Sequence, residues 1–203
     1  MACSEKIAIK ISDWLFEGDD VNELNYLKAK LGIESIIIDV SKAIVVYVAA
    51  FAAGTLIPTF VTHLSYMGLR KFSMGLHAKS SFVCTIVSVL MFVGVPYLIE
   101  GIVIGRWWIF FAFSMSTWLF WKYAPADTEK APIIGARRRF NLKLCTIGIN
   151  SLLMYIALVV LIWEARVLIL AGMLMQLVMI LPITYKILRR SRNNYEKYET
   201  ENE

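Results

Sequence analysis

AIVVYVAAFAAGTLIPTFV, residues 43–61, carries no charged side chain. Crossing the hydrocarbon core of a bilayer takes about 20 apolar residues of helix, so this stretch alone is long enough to enter a membrane. Four more segments of similar length and character follow it: Ser81–Ile99, Val103–Trp121, Leu144–Trp163 and Val167–Tyr185. Together they account for the composition. Of 203 residues, 58% are hydrophobic and only 18% charged, and the mean hydropathy is +0.61. Soluble domains sit near 45–50% apolar and about 25% charged, and disorder needs low hydrophobicity. Both classes are excluded. The fold class read from the sequence is all-α, a polytopic integral membrane helical bundle.

The flanks are polar. In residues 1–42, Ile7, Ile11, Trp14 and Leu15 recur at helical spacing, with Lys6, Lys10 and Asp13 on other faces, which predicts an amphipathic helical segment lying in the interface. Glu17-Gly-Asp-Asp20 reads as a turn, with Asp19 or Asp20 capping the next helix. Val21, Leu24, Leu27 and Leu31 continue a second apolar stripe. The expected organisation is an N-terminal segment 1–42, a transmembrane bundle 43–185 and a polar tail 186–203. No apolar run of signal-peptide type opens the chain. Three cysteines, Cys3, Cys84 and Cys145, are too few and odd in number for a disulfide framework.

Basic residues set the orientation. Segment 122–143 holds six (Lys122, Lys130, Arg137, Arg138, Arg139, Lys143) and the tail five, whereas the connections near 99–106 and 164–166 hold one each, Arg106 and Arg166. This places 122–143, the tail and, by alternation, the 62–80 loop on the cytoplasmic side. The front then has a parity problem. One crossing by 43–61 puts the N-terminus outside, yet residues 1–42 contain five lysines and eight acids. Gly54 and Pro58 interrupt the segment, and proline breaks a helix locally. Two readings follow, a broken or re-entrant hairpin with both termini inside, or a single kinked span.

The chemistry concentrates in RKFSMGLHAKSSFVC, residues 70–84, which holds one of two histidines and one of three cysteines. A cysteine nucleophile needs a base to become thiolate, and histidine is the usual one. Cations and a helix N-terminus favour the thiolate. Arg70, Lys71 and Lys79 supply charge, and Ser80 or Ser81 is placed to cap a helix bearing Cys84 in its first turn. Seven residues of continuous helix would separate His77 and Cys84 by about 10 Å, so a catalytic pair requires a chain break between them, at Gly75 or at Ser80-Ser81. The competing reading makes His77 an interfacial loop residue and Cys84 a small buried hydrophobe. Spacing alone leaves both open. His63 reads as an interfacial anchor, Cys145 as packing, Trp107, Trp108, Trp118 and Trp121 as interface belts, and Gly101-x3-Gly105 as either a close helix contact or a chance spacing among eleven glycines. No third member of a triad is evident. Asn141, Asn150 and Gln176 are remote candidates, with helix-packing or interfacial roles at least as natural.

The stretch resembles the AgrB family, the membrane endopeptidases of bacterial peptide quorum sensing. The shared pattern is Arg70, then Gly75-Leu-His77-Ala78, then Cys84. The Ala-Pro-Ala-Asp-Thr…Lys-Ala-Pro…Arg-Arg-Arg loop at 124–139 and the placement of the motif after the first apolar segment are also similar to the family. Many members have a second glycine before Gly75, where this chain has Met74. The resemblance implies a cysteine-type endopeptidase with a Cys84–His77 dyad and neither cofactor nor metal, its active site on the cytoplasmic side of a bacterial cell membrane. Its implied partner is an AgrD-like propeptide, whose C-terminal tail is cut off while the rest is closed as a thiolactone through a Cys84 acyl-enzyme. That chemistry belongs to autoinducing-peptide processing and virulence regulation. Arg70, Gly75 and Lys79 would support the site, and Arg137, Arg138 and Arg139 would hold an acidic substrate tail. The bilayer and a second copy of the chain are the other expected partners, and nucleic acid is not, since no recognition module is visible. The alternative is a non-enzymatic peptide-export or scaffolding component. A transporter would more often carry charges in mid-membrane, and these spans have almost none.

Overall fold

The computed structural model describes residues 3–16, 22–76, 80–129 and 132–200. The described residues form helices and no strand, with one isolated bridge between Met74 and Ala126. They fall into two compact units, Met1–Ala49 and Ala50–Glu203.

In the first unit, α1 (Cys3–Leu15) lies beside the start of α2 (Glu23–Ala52). Tyr26 donates to Asp13 at 2.5 Å, and Lys30 pairs with Glu5 at 3.6 Å. The packed face of α1 is made of small residues, Ala8 and Ser12, both fully buried. The apolar stripe Ile7, Ile11, Trp14 and Leu15 stays uncovered, Trp14 at 74% exposure, as an interfacial helix requires. The expected caps Asp19 and Asp20 lie outside the described residues.

The first apolar segment is not one continuous helix. The chain breaks at 53–55, with Gly54 at φ 72°. Its two arms belong to separate helices, α2 reaching back to Glu23 and α3 (Leu56–Ser73) running forward past the predicted end. Pro58 sits in the first turn of α3, where its missing N–H costs nothing.

In the second unit the chain continues through α4 (Ser81–Val89), a π-helical turn Leu90–Gly94 and α5 (Val95–Leu98), then α6 (Arg106–Tyr123), α7 (Ala136–Val159), α8 (Trp163–Ile180), the short α9 (Pro182–Ile187) and α10 (Tyr195–Thr200). The π-turn has a local cause. Pro96 has no N–H to offer the carbonyl four residues earlier, Phe92, and Thr59 of α3 donates to that oxygen instead, at 2.7 Å. Four stretches are long and apolar enough to cross a membrane: Asn25–Ala52, Ser81–Leu98, Ala136–Val159 and Trp163–Ile180. The last two begin before their predicted starts, and α8 stops at Ile180 because Pro182 follows.

α8 is the centre of this unit. Of its apolar window, 61% is buried, against 11–17% in the other three. α3 packs along it, and Gly172 allows the approach: a Cβ there would stand 2.5 Å from Thr62 O. Gly101 and Gly105 lie instead in the connection before α6 and bring no helices together. α6 packs on α7, where buried Asn150 donates to Thr117 Oγ1 at 2.9 Å and Phe113 O at 3.3 Å. Trp107, Trp108, Trp118 and Trp121 of α6 face outward, as aromatic belts do. Cys145, expected in packing, is exposed on the outside of α7.

Candidate active site

The motif that reads as chemistry in the sequence is a break between two helices. α3 ends at Ser73 and α4 begins at Ser81. His77 and Lys79, the proposed base and one supporting cation, lie outside the described residues. Leu76, immediately before His77, is described and buried.

The turn Ser73–Leu76 is held on three sides. From α3, the Arg70 guanidinium donates to Met74 O at 3.2 Å and to Leu76 O at 2.6 Å. From α8, Gln176 Nε2 donates to Ser73 Oγ and Met74 O, both at 2.6 Å, and Leu76 N–H reaches Met179 O at 3.2 Å. From the loop after α6, Ala126 accepts from Gly75 N–H at 2.8 Å and donates to Ser73 O at 2.9 Å. Arg70 is therefore committed to the backbone of the turn, its fork matched to two carbonyls.

Two residues of the turn occupy the left-handed side of φ. Gly75 has φ 112°, and a Cβ there would stand 2.9 Å from Met179 O and 3.1 Å from Arg70 Nη1. Met74 has φ 57° and ψ −137°, a conformation that favours glycine and costs other residues about 1–3 kcal/mol. Met74→Gly should add at most about 1–2 kcal/mol of stability, because glycine also gains freedom when unfolded, and so raise the thermal midpoint while leaving the turn intact. A lowered midpoint in detergent would refute the strain.

Cys84 is the fourth residue of α4 and half-buried. Its N–H donates to Ser80 O at 3.0 Å. Ser80 stands at the N-cap in extended conformation, though its hydroxyl makes no capping bond. The thiol thus sits in the first turn of a helix, where the dipole favours anions. Arg70 and Cys84 are both within electrostatic reach of the Tyr66 hydroxyl on α3.

The 124–139 loop and the tail extend the support. Tyr185 donates to Asp127 O at 2.9 Å. Burial pushes the Tyr185 hydroxyl up to about 12, against the opposing pull of Arg192, so it stays a donor. Asp127 Oδ2 accepts from Tyr195 N–H at 3.0 Å, Arg192 donates to Tyr123 O at 2.8 Å, and Ser191 N–H reaches Glu129 at 3.2 Å. The residues read as a polar tail are folded onto the loop that pairs with the turn. Of the three arginines, Arg137 and Arg138 are exposed. Arg139 donates to Ile133 O at 3.1 Å and stacks 3.9 Å from the Tyr195 ring.

Sequence reading singled out the 124–139 loop that holds Ala126 and Asp127 but not its pairing with the turn, and it missed Tyr185 and Arg192, which lie far along the chain and carry no local signature. Gln176 had one signal, an amide alone in an apolar run. Asn150 is a packing residue and Asn141 is exposed. No cluster of three His, Cys, Asp or Glu side chains suited to a metal occurs among the described residues. A cavity of about 270 Å³, lined by Thr55, Pro96, Glu100, Trp163, Glu164 and Val167 among others, lies at the end of α3 and α8 away from the turn.

Comparison with known proteins agrees with the motif. Residues 4–180 match Accessory gene regulator B. The chain is 42% identical over 178 residues to a "Putative AgrB-like protein" of Listeria monocytogenes serovar 1/2a, covering 88% of this chain and 87% of that one. It is 34% identical to a protein of the same name from Clostridium acetobutylicum, covering 96% and 93%. An "Accessory gene regulator protein B" of Staphylococcus intermedius is 33% identical, covering 77% and 80%. No solved structure matches. The match spans the Arg70–Cys84 motif, the helices around it and the loop that pairs with its turn, and the chain belongs to the AgrB family.

Proposed function

We propose that this member of the agr quorum-sensing system is a membrane cysteine endopeptidase that removes the C-terminal tail of an AgrD-like propeptide and closes the remainder as a thiolactone. The observation that carries the reading is the Ser73–Leu76 turn. Three elements fix its backbone just before His77, and the next helix carries Cys84 in its first turn. His77 takes the proton from Cys84 Sγ. Sγ attacks a propeptide carbonyl, the S–C bond forms, the peptide C–N bond breaks, and His77 returns the proton to the departing amine. A thiol within the bound peptide, losing its proton to His77, then displaces Cys84 from the thioester, and Cys84 leaves as a thiol. Thioester exchange is nearly neutral in energy, whereas making a thioester from a peptide is uphill, so release of the tail draws the first step. A site that excludes water favours cyclisation over hydrolysis.

The catalytic bundle is residues 43–185. Its active site faces the cytoplasm, where the basic loops lie. Six described helical stretches have 18 residues or more (α2, α3, Ser81–Leu98, α6, α7, α8). If all six cross, both termini lie on the cytoplasmic side; four of the six are apolar enough to do so by length and composition alone. Arg137 and Arg138 meet the acidic substrate tail, while Arg139 shapes the loop.

The test is the protein in liposomes with synthetic propeptide. The expected products are the free tail and an N-terminal product lighter by one water than the hydrolysed fragment. Arg137→Gln with Arg138→Gln should raise KM, each exposed contact being worth about 0.5–1 kcal/mol, and should do so less for a propeptide with a neutralised tail. No cleavage by correctly inserted wild-type protein would favour the scaffolding or export role.

A further inference from the structure

Gln176 is fully buried on α8, one turn before the helix ends. Both partners of its Nε2 are acceptors. Met74 offers a carbonyl, and the Ser73 hydroxyl spends its hydrogen on Leu69 O at 2.8 Å. The network therefore fixes which end of the amide is nitrogen. The other end, Oε1, is left buried with no partner among the described residues. A leucine or methionine would fill this place in an apolar helix without burying an unsatisfied oxygen. The glutamine stands here at that cost.

We propose that Gln176 is a positioning residue of the reaction, clamping the Ser73–Leu76 turn from α8 so that the base following Leu76 is presented to Cys84. This rests on the function proposed above. Arg70 holds Met74 and Leu76 from the α3 side. Gln176 holds Ser73 and Met74 from the opposite helix, and Met74 O, with two donors, is where the clamps meet. Met74 stands in a conformation it would not adopt alone, and a turn under such strain relaxes when one clamp is lost. A displacement of about 1 Å in a reacting group costs on the order of 100-fold in rate.

The experiment compares wild type with Gln176→Leu and Gln176→Glu in liposomes. Gln176→Leu should lower kcat by roughly 10–100-fold with KM little changed, because the substrate tail is bound elsewhere. The rate of Cys84 alkylation by iodoacetamide should fall as well, in a background with Cys3→Ala and Cys145→Ala. Gln176→Glu covers the case in which Gln176→Leu fails to insert. A buried carboxyl is protonated at low pH, and its O–H then donates to Met74 O. Ionised at higher pH, it has no hydrogen to donate, repels that carbonyl and draws the Arg70 guanidinium off Met74 O, so both clamps are lost. The variant should approach wild-type kcat in acid and lose it as pH rises, an alkaline limb absent from wild type. Wild-type kcat in Gln176→Leu, or a pH profile of Gln176→Glu parallel to wild type, would overturn the proposal. Failure of wild type itself to cleave would instead overturn the endopeptidase reading.

Discussion

Cys84→Ala and Cys84→Ser should each abolish propeptide cleavage while membrane insertion and thermal stability stay near wild type. Cys84 is half-buried on a helix with no fully buried residue in its α-helical part, so losing the sulfur leaves no large cavity. The alanine variant has no nucleophile. The serine variant has one that is far weaker without a dedicated base matched to a hydroxyl. Removing the nucleophile of such a unit costs on the order of 10⁶ in kcat, which is below detection in a membrane assay. Cys145→Ala is the matched control. Cys145 is exposed on the outside of α7, far in sequence from the turn, and its variant should cleave at the wild-type rate. Cleavage by Cys84→Ala above the level of empty liposomes would end the acyl-enzyme mechanism.

The second large effect is expected at Gly75. Gly75→Ala places a methyl group at φ 112°, where it would stand 2.9 Å from the Met179 carbonyl, 3.1 Å from Arg70 Nη1 and 3.1 Å from Ile180 Cγ2. The backbone strain alone is worth about 1–3 kcal/mol. The Met179 carbonyl cannot move aside, because it accepts from Leu76 N–H. The turn must shift, Arg70 and Gln176 lose their geometry together, and activity should fall to about 1% of wild type or less. Gly148→Ala, in mid-helix with nothing within 4 Å of the added methyl, should be neutral or slightly stabilising. The pair separates a general dislike of alanine from a requirement at the turn. Equal activity in Gly75→Ala and Gly148→Ala would show that the turn has slack and that its geometry does not govern the reaction.

The sequence by itself determined the solvent. Uninterrupted apolar runs have no other home than a bilayer, and every described element is helical because a chain in lipid must satisfy its own backbone. Gly54 and Pro58 marked the break in the first run. That a catalytic His77 and Cys84 could not share one helix followed from rise per residue alone, and α4 begins at Ser81, between the two positions. These are local properties, and a short window of residues suffices to express them. What only the tertiary structure decided is what each polar group faces. Arg70 read as a charge beside a thiol, but its fork closes on two carbonyls of its own turn. Arg139 read as part of a substrate-binding trio and is stacked on Tyr195. The tail read as a polar cytoplasmic end, and its described residues are bonded to Tyr123, Asp127 and Glu129. Gln176 read as a remote candidate with a packing or interfacial role at least as natural, and it holds the turn from a hundred residues away. In each case the partner is a backbone carbonyl, a backbone N–H or a distant side chain. A carbonyl is present at every residue, so nothing in the sequence marks the one that a folded chain brings within 3 Å.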